Sequence, residues 1–328
     1  MSEAAPAILT EVKHVTTTSI KKKPKEKQFL YQLKRVLSCW QLYALLLPGL
    51  VYVFIFSYIP MYGVQIAFKD FRGTLGIWGS EWVGLKHFTR FFAFPNFWQY
   101  IRNTVTLSLY GICTFPLAII FALLINELQS LKFKKTVQML TYAPHFISTV
   151  VVCGMIFLFF NKSSGFVNAF IEMMGFERID FMLEARYFRS LYIGSGIWQG
   201  LGWGTIIYLA ALAGVSTELV EAARIDGATR IQIIRYVNIP TIMPTITILL
   251  IMSCGSILGV GFEKTYLLQT PMNLSVSQVL STYVYHVGLI SVQYSYSTAI
   301  QLFNTVVNIT FLIIVNLIVK KLTDISLW

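Results

Sequence analysis

The densest group of chemically capable residues in this 328-residue chain is the run Glu221-Ala222-Ala223-Arg224-Ile225-Asp226-Gly227, followed after nine intervening residues by Val237-Asn238-Ile239-Pro240. Two carboxylates, an arginine and small apolar side chains so close together suit recognition of a polar partner. Ser216 or Thr217 can cap a short helix here, Glu218 favours its positive first turn, and Asp226-Gly227 breaks it. A second helical run from Ala228 to Tyr236 is expected, with Pro240 closing the loop. Three-residue spacing puts Ala222 with Ile225, and Ile231 with Ile234, on single faces, leaving Glu221, Arg224, Arg230 and Arg235 for a partner. Elsewhere the chemistry thins. His145 and His286 have no second ligand at metal spacing. No nucleophile with a neighbouring base and orienting acid can be assembled, which argues against an enzyme. No G-x-x-x-x-G-K-[ST] loop is present to cradle phosphates. The chain is therefore expected to hold no metal, no cofactor and no catalytic residue of its own.

The elements that must carry this loop follow from composition and charge. The chain is 55% hydrophobic and only 12% charged, against roughly 25% charged in an ordinary soluble domain. Its four cysteines, Cys39, Cys113, Cys153 and Cys254, fall in apolar stretches and read as reduced core residues rather than a disulfide framework. The net charge of +11 would suit nucleic acid only if it were clustered on a polar face. Instead the charged positions leave gaps at 36–68, 103–126, 136–161, 190–217, 236–262 and 265–319. About 20 residues cross a hydrocarbon core of roughly 30 Å, and an unpaired central charge costs about 2.5 kcal/mol or more. This predicts an all-α integral membrane protein with six transmembrane helices at about 40–68, 103–126, 137–160, 190–213, 241–262 and 299–319.

Alternate sides of these helices carry 16 and 10 of the 26 Lys and Arg, and the richer side includes the N-terminus and the loop 214–240. By the positive-inside bias both termini and that loop are expected to be cytoplasmic. Residues 1–28 read as a disordered basic tail, 29–328 as the membrane domain, and 29–35 as an amphipathic helix on the inner headgroups or the frayed start of the first span. No cleaved signal peptide is expected. The aromatic loop 69–102 should rest on the outer interface, 265–298 should dip as a helix along the outer mouth, and Glu263-Lys264 should anchor that end.

The run from Glu221 to Pro240 resembles the EAA loop of ABC importer permeases, whose pattern is EAA, three residues, Gly, nine residues, then Ile-x-Leu-Pro. Val237 and Ile239 depart from that pattern only by a methylene or a branch. Five specified letters at fixed spacing arise by chance in about one chain in a thousand of this length. The likeness runs from about Trp40 to Lys321. Trp82-Val83-Gly84-Leu85-Lys86-His87-Phe88 is similar to the WVGLxNF stretch of carbohydrate-uptake permeases of the maltose-transporter type, with His87 in place of Asn. Ser57 to Gly63 and Gly261 to Leu268 resemble the polysaccharide and alginate-importer permeases within that family. The resemblance implies the type I importer permease fold in a bacterial plasma membrane. It also implies a second related permease, two ATPase subunits that bind ATP and Mg, and an extracytoplasmic solute-binding protein. Glu221, Ala222, Ala223, Asp226, Gly227 and Pro240 are then the residues that couple to the ATPase.

A sugar crossing the bilayer needs aromatic faces and neutral hydrogen-bonding groups near the midplane. The fourth span offers Trp198, Gln199, Trp203 and Tyr208, with Gly196, Gly200 and Gly204 on one small face. By position relative to the loop, Gly200, Trp203, Ser253 and Ser256 resemble substrate-contacting places in the maltose-type permeases, and Trp198 is an aromatic candidate beside them. Trp198 and Trp203 lie about 140° apart on the helix and should not form one platform. Gln301, Asn304 and Asn308 share a face that suits hydrogen bonding between helices. Two rivals stand beside the carbohydrate permease: an ABC permease for another solute, and an ion-coupled secondary transporter, which would want carboxylates inside the spans.

Overall fold

The structure, a computed structural model, describes residues 38, 40–323 and 325–327. The basic tail, the run 29–35 and Cys39 lie outside them. The chain divides into two units, Met1–Gly63 and Val64–Trp328. Among the described residues four helices are long and apolar enough to cross a membrane: Trp40–Phe68, Phe97–Asn126, Arg230–Cys254 and Tyr294–Thr323. Two sharply bent pairs, Leu131–Phe146 with Thr149–Phe159 and Ala185–Leu212 with Thr217–Ile225, bring the number to six when each pair counts as one. They are numbered spans 1 to 6 in chain order, with span 4 denoting Ala185–Leu212.

In the first unit, span 1 starts as an α-helix at Trp40–Val53 and widens into a π turn at Phe54–Tyr58. It resumes at Ile59–Met61, where Pro60 sits. In the second unit span 5 repeats the device: a π turn at Ile234–Asn238 precedes Ile239–Cys254, with Pro240 at its start. A proline lacks an N–H and its ring crowds the carbonyl four residues back. The wider turn, in which Ile239 N–H donates to the carbonyl of Ile234, makes room for it. Pro240 therefore stands at the start of the regular α-helix of span 5 but does not end the loop. It lies inside a helix that already begins at Arg230.

The helices also run past the charge-free gaps. Span 2 starts at Phe97 rather than 103, span 4 at Ala185 rather than 190, and span 6 at Tyr294 rather than 299. The gaps delimit what tolerates no charge, whereas a helix end can carry Arg102 or Arg186 outward on a flexible stem.

In place of one span at 137–160, two helices, Leu131–Phe146 and Thr149–Phe159, meet at a 96° bend. Pro144 opens a 3-10 turn at Ala143–Phe146, and Ser148 then caps Thr149–Phe159 by accepting from Val151 N–H. Gln199 of span 4 closes the break, donating through Nε2 to the carbonyl of Ile147 at 2.7 Å. Span 5 stops at Cys254, and the chain after it finds another such partner: Leu258 N–H donates to Asn308 Oδ1 of span 6 at 2.9 Å. Asn308 Nδ2 also reaches Asn304 Oδ1 at 3.4 Å within span 6, so of the expected face Asn308 bonds to the turn after span 5 rather than to a neighbouring helix.

Residues 265–298 are not one dipping helix. They form short pieces, Phe262–Leu268, Leu274–Ser277 and Leu280–Tyr285, then a π turn at His286–Ile290, with Val279 and Leu280 fully buried. Turn residues Thr270, Pro271 and Asn273 break the pattern. Asn103 and Thr104, both buried in span 2, receive the segment: Asn103 donates to the carbonyls of Ser275 and Gln278, and Thr104 Oγ1 accepts from Leu280 N–H at 3.0 Å. The aromatic loop is likewise partly core. Strands Lys69–Asp70 and Glu81–Trp82 pair antiparallel, and beyond them Phe91 and Phe97 pack with Leu280, Tyr296 and Ile300. Trp82 and Trp98 stay exposed. Cys153 is buried and Cys254 partly so, but Cys113 is exposed rather than in the core, and none of the three is paired.

Span 4 is the centre of the second unit, packing on spans 2 and 5 and on the first half of span 3. A Cβ at Gly202 would overlap the carbonyl of Thr141 in that half-span. Gly202→Ala is expected to destabilise the fold by about 2 kcal/mol or more, whereas Gly200→Ala, with nothing within 4 Å of its added carbon, should not; thermal unfolding of the detergent-solubilised chain compares them. Asn308→Leu should cost about 1–3 kcal/mol in the same assay, because Leu258 N–H is left buried without an acceptor.

Candidate functional site

Two features meet on span 4, one along its length and one beyond its C-terminal end. The first is a cavity of about 580 Å³ walled by spans 2, 4 and 5. It follows span 4 from Tyr192 to Tyr208, about 24 Å at 1.5 Å per residue. Gly196, Gly200 and Gly204 recur every fourth residue along its floor, so one helix face lacks side chains and the space remains open. The close helix packing that such a stripe suggests belongs instead to Gly202, on another face. Thr114, Gln199 and Ser253 supply neutral polar groups among mostly apolar walls.

Of the five residues expected to meet a substrate, the structure brings Gly200 and Ser253 together in this cavity. Ser256 is exposed and its hydroxyl donates to the Ser253 carbonyl at 3.0 Å. Trp198 lines a separate apolar cavity of about 290 Å³ with Val152 and Phe159. Trp203 stacks flat on His145, ring centroids 4.3 Å apart and planes 4° apart, with Phe146 edge-on. The two tryptophans thus occupy different sides of span 4. His145 spends its ring face on that stack.

The residue missed by sequence reasoning is Lys264. It follows the break after span 5 and turns back into the cavity, where it is the one charged side chain among the described residues that line it. Its Nζ lies 5.1 Å from the centroid of the Tyr192 ring, a cation–π distance. Burial lowers the ammonium from its usual range to about 8, with the neighbouring Cys153 acting in the opposite direction. Its sequence neighbour Glu263 is exposed. Adjacent helical residues do not face each other, and that was the available sign that the two were not one anchor.

The second feature is the loop. Ser216 caps Thr217–Ile225, with Glu218 in the first turn and Arg224 in the last. Gly227 has φ +80°, Gly227 N–H donates to Arg224 and Ala228 N–H to Ala223, which together make a Schellman stop. Ala228 is not helical as expected. Thr229 caps the next helix instead, in a reciprocal box with Gln232, and that helix starts at Arg230. Glu221, Ala222, Asp226 and Gly227 are exposed and Ala223 half-buried. Ile225 is 86% exposed and Ile231 76%. Apolar side chains so bare beside Glu221 and Arg224 form an unpartnered face. Beside it a cavity of about 260 Å³ is lined by Glu127, Arg224, Arg230 and Asn238, so the end of span 2 also reaches the loop.

Residues 47–324 match the family described as binding-protein-dependent transport system inner membrane component. The chain is 43% identical over 301 residues to the polygalacturonan/rhamnogalacturonan transport system permease protein YteP of Bacillus subtilis, covering 92% of this chain and 93% of that protein. It is 45% identical over 281 residues to protein LplB of the same organism, covering 85% and 88%. Among solved structures, a bacterial ABC transporter involved in the import of the acidic polysaccharide alginate contains a chain with TM-score 0.81 and 39% identity, covering 89% of this chain and 99% of that one. The same kind of transporter in complex with an alginate pentasaccharide-bound periplasmic protein gives 0.82 and 39%, covering 90% and 99%. A multi-pass helical chain matched almost end to end in this way belongs to the family of binding-protein-dependent transport system inner membrane components, the permease subunits of ABC importers.

Proposed function

We propose that the glycine-floored cavity is this subunit's share of a pathway for a carbohydrate, an oligosaccharide or polysaccharide fragment, and that Thr217–Ile225 is the helix through which a separate ATPase drives it. The observation that carries this reading is that span 4 floors the cavity and is followed, after the four residues 213–216, by the exposed helix that bears Glu221, Ala222 and Ala223. Small Ala222 and Ala223 let that helix enter a cleft closely, and Glu221, which makes no ion pair among the described residues, is available to a basic group there. Asp226 and Gly227 hold the stop. Pro240, inside the span 5 helix, sits at the π turn that joins the loop to the cavity wall formed by Ser253.

The loop and both termini are on the cytoplasmic side in this reading, the side richer in Lys and Arg. ATP and Mg belong to two copies of the ATPase, a related permease completes the pathway, and an extracytoplasmic solute-binding protein delivers the sugar. The periplasmic protein in the alginate transporter complex and the polygalacturonan and rhamnogalacturonan named for YteP support this arrangement. ATP binding closes the ATPases and draws the loop helices together, so the loop biases the cavity between two orientations. Sugar hydroxyls find Thr114, Gln199 and Ser253, while Gly200 lets a ring approach the backbone.

A β-branched residue at the left-handed Gly227 is strained. Gly227→Val is expected to leave membrane insertion intact and to lower uptake-coupled ATP hydrolysis of the assembled transporter at least about tenfold. ATP hydrolysis stimulated by the loaded binding protein at the unsubstituted rate would sink the assignment of this loop.

A further inference from the structure

Lys264 is placed against the ordinary behaviour of lysine. A surface lysine runs its stem along apolar groups and holds its ammonium in water. This one points inward from the helix Phe262–Leu268, half-buried, to the end of the cavity nearest Tyr192 and farthest from the loop helix. The ion pairs among the described residues join Lys86 to Asp70, Arg178 to Glu172 and Arg186 to Glu184. None involves Lys264, and no carboxylate among the described residues lines the cavity. The Tyr192 ring lies on one side, and a Cβ at Gly196 would stand 3.4 Å from the Nζ and meet nothing else. Span 4 thus has no side chain at the place where the ammonium comes down on it. A buried cation without an anion is costly unless something pairs with it.

The rest of the wall is neutral. Below Lys264 the polar groups are hydroxyls and an amide, fit for sugar hydroxyls but not for holding a second charge. One cation at the mouth and none deeper would admit an anionic sugar without trapping it, since passage needs a site that binds and releases.

We propose that Lys264, set over Tyr192 and beside Gly196, is a carboxylate-receiving subsite at the mouth of the cavity, so that the carbohydrate carried is an acidic one built of uronate sugars. This rests on the carbohydrate reading above and goes beyond it to the class of sugar. The ammonium offers three donors to a carboxylate without demanding the planar fork of arginine, which suits a cargo that must slide past.

The test uses the complete transporter, assembled with its partner subunits and binding protein in membrane vesicles, and two probes of equal size: trigalacturonate and its fully methyl-esterified, uncharged counterpart. Lys264→Met is expected to reduce trigalacturonate uptake about tenfold and to change ester uptake less than about twofold, while Lys264→Arg keeps most acid uptake. Equal losses for both probes in Lys264→Met, with assembly intact, would show that the lysine only braces Tyr192 and would overturn the proposal, as would unchanged acid uptake. Should Lys264→Met fail to assemble, Lys264→Gln takes its place under the same two outcomes. The unsubstituted transporter decides independently: equal uptake of acid and ester overturns the subsite without any variant. Uptake of neither these nor any other oligosaccharide, with ATPase and binding protein active, overturns the carbohydrate reading itself.

Discussion

In hydrocarbon an unpaired backbone group has no water to turn to, so each interruption of a spanning helix must find a partner inside the protein. This chain interrupts its spans repeatedly, and at three of the breaks the partner is a side chain from another span. Gln199 accepts the burden of the bend in span 3, Asn308 that of the break after span 5, and Asn103 with Thr104 that of the segment 275–280. The partners are not interchangeable. Each reaches one carbonyl or one N–H at hydrogen-bond distance, so the breaks are held in fixed places rather than melted. Around those points the helices can carry prolines, π turns and an open cavity that an unbroken bundle would have no means to form.

These broken spans also explain which parts of the molecule were legible in the sequence. The six charge-free gaps and the loop at 214–240 could be read because charge is excluded from hydrocarbon whatever the helices do there. The bend at Ile147 could not, since Pro144 within an apolar run fits a mild kink as well as a right angle. The depth of Lys264 was hidden for the same reason. Helical phase carries no information across the break from Gly255 to Gly261, so nothing in the spacing told that the residue turns inward. Within span 4, where phase is unbroken, the separation of Trp198 from Trp203 was readable and the structure shows it.

The glycines show the limit of composition as a guide. Gly196, Gly200 and Gly204 form a stripe that equally suits tight packing and open space, and the pattern itself does not choose. The structure gives the stripe to the cavity and the tight contact to Gly202, two residues out of register with it. Span 4 therefore has a face pressed on Thr141, a face with Trp203 against His145, and a bare face toward the cavity. Each face constrains the others, because rotating the helix to close the cavity would drive Gly202 off its contact.

That constraint bears on how the loop helix can act at a distance. Thr217–Ile225 is joined to span 4 by four residues, Ala213 to Ser216, and its stop at Gly227 leads within three residues into the helix of span 5. On the coupling role proposed above, a push on Ile225 and Glu221 would reach two cavity walls together, through span 4 and through span 5, whose far end is pinned by Asn308. If the loop were a flexible tether, the Schellman stop and the Thr229 box would be superfluous. Their presence makes it a short lever with fixed ends. The mouth bearing Lys264 lies on the far side of the break after span 5, beyond Asn308's contact with Leu258. On the proposed role, a tilt of span 5 about that break would alter the distance between Ser253 and Lys264, which is the kind of relative movement that opening one end of a cavity and closing the other requires.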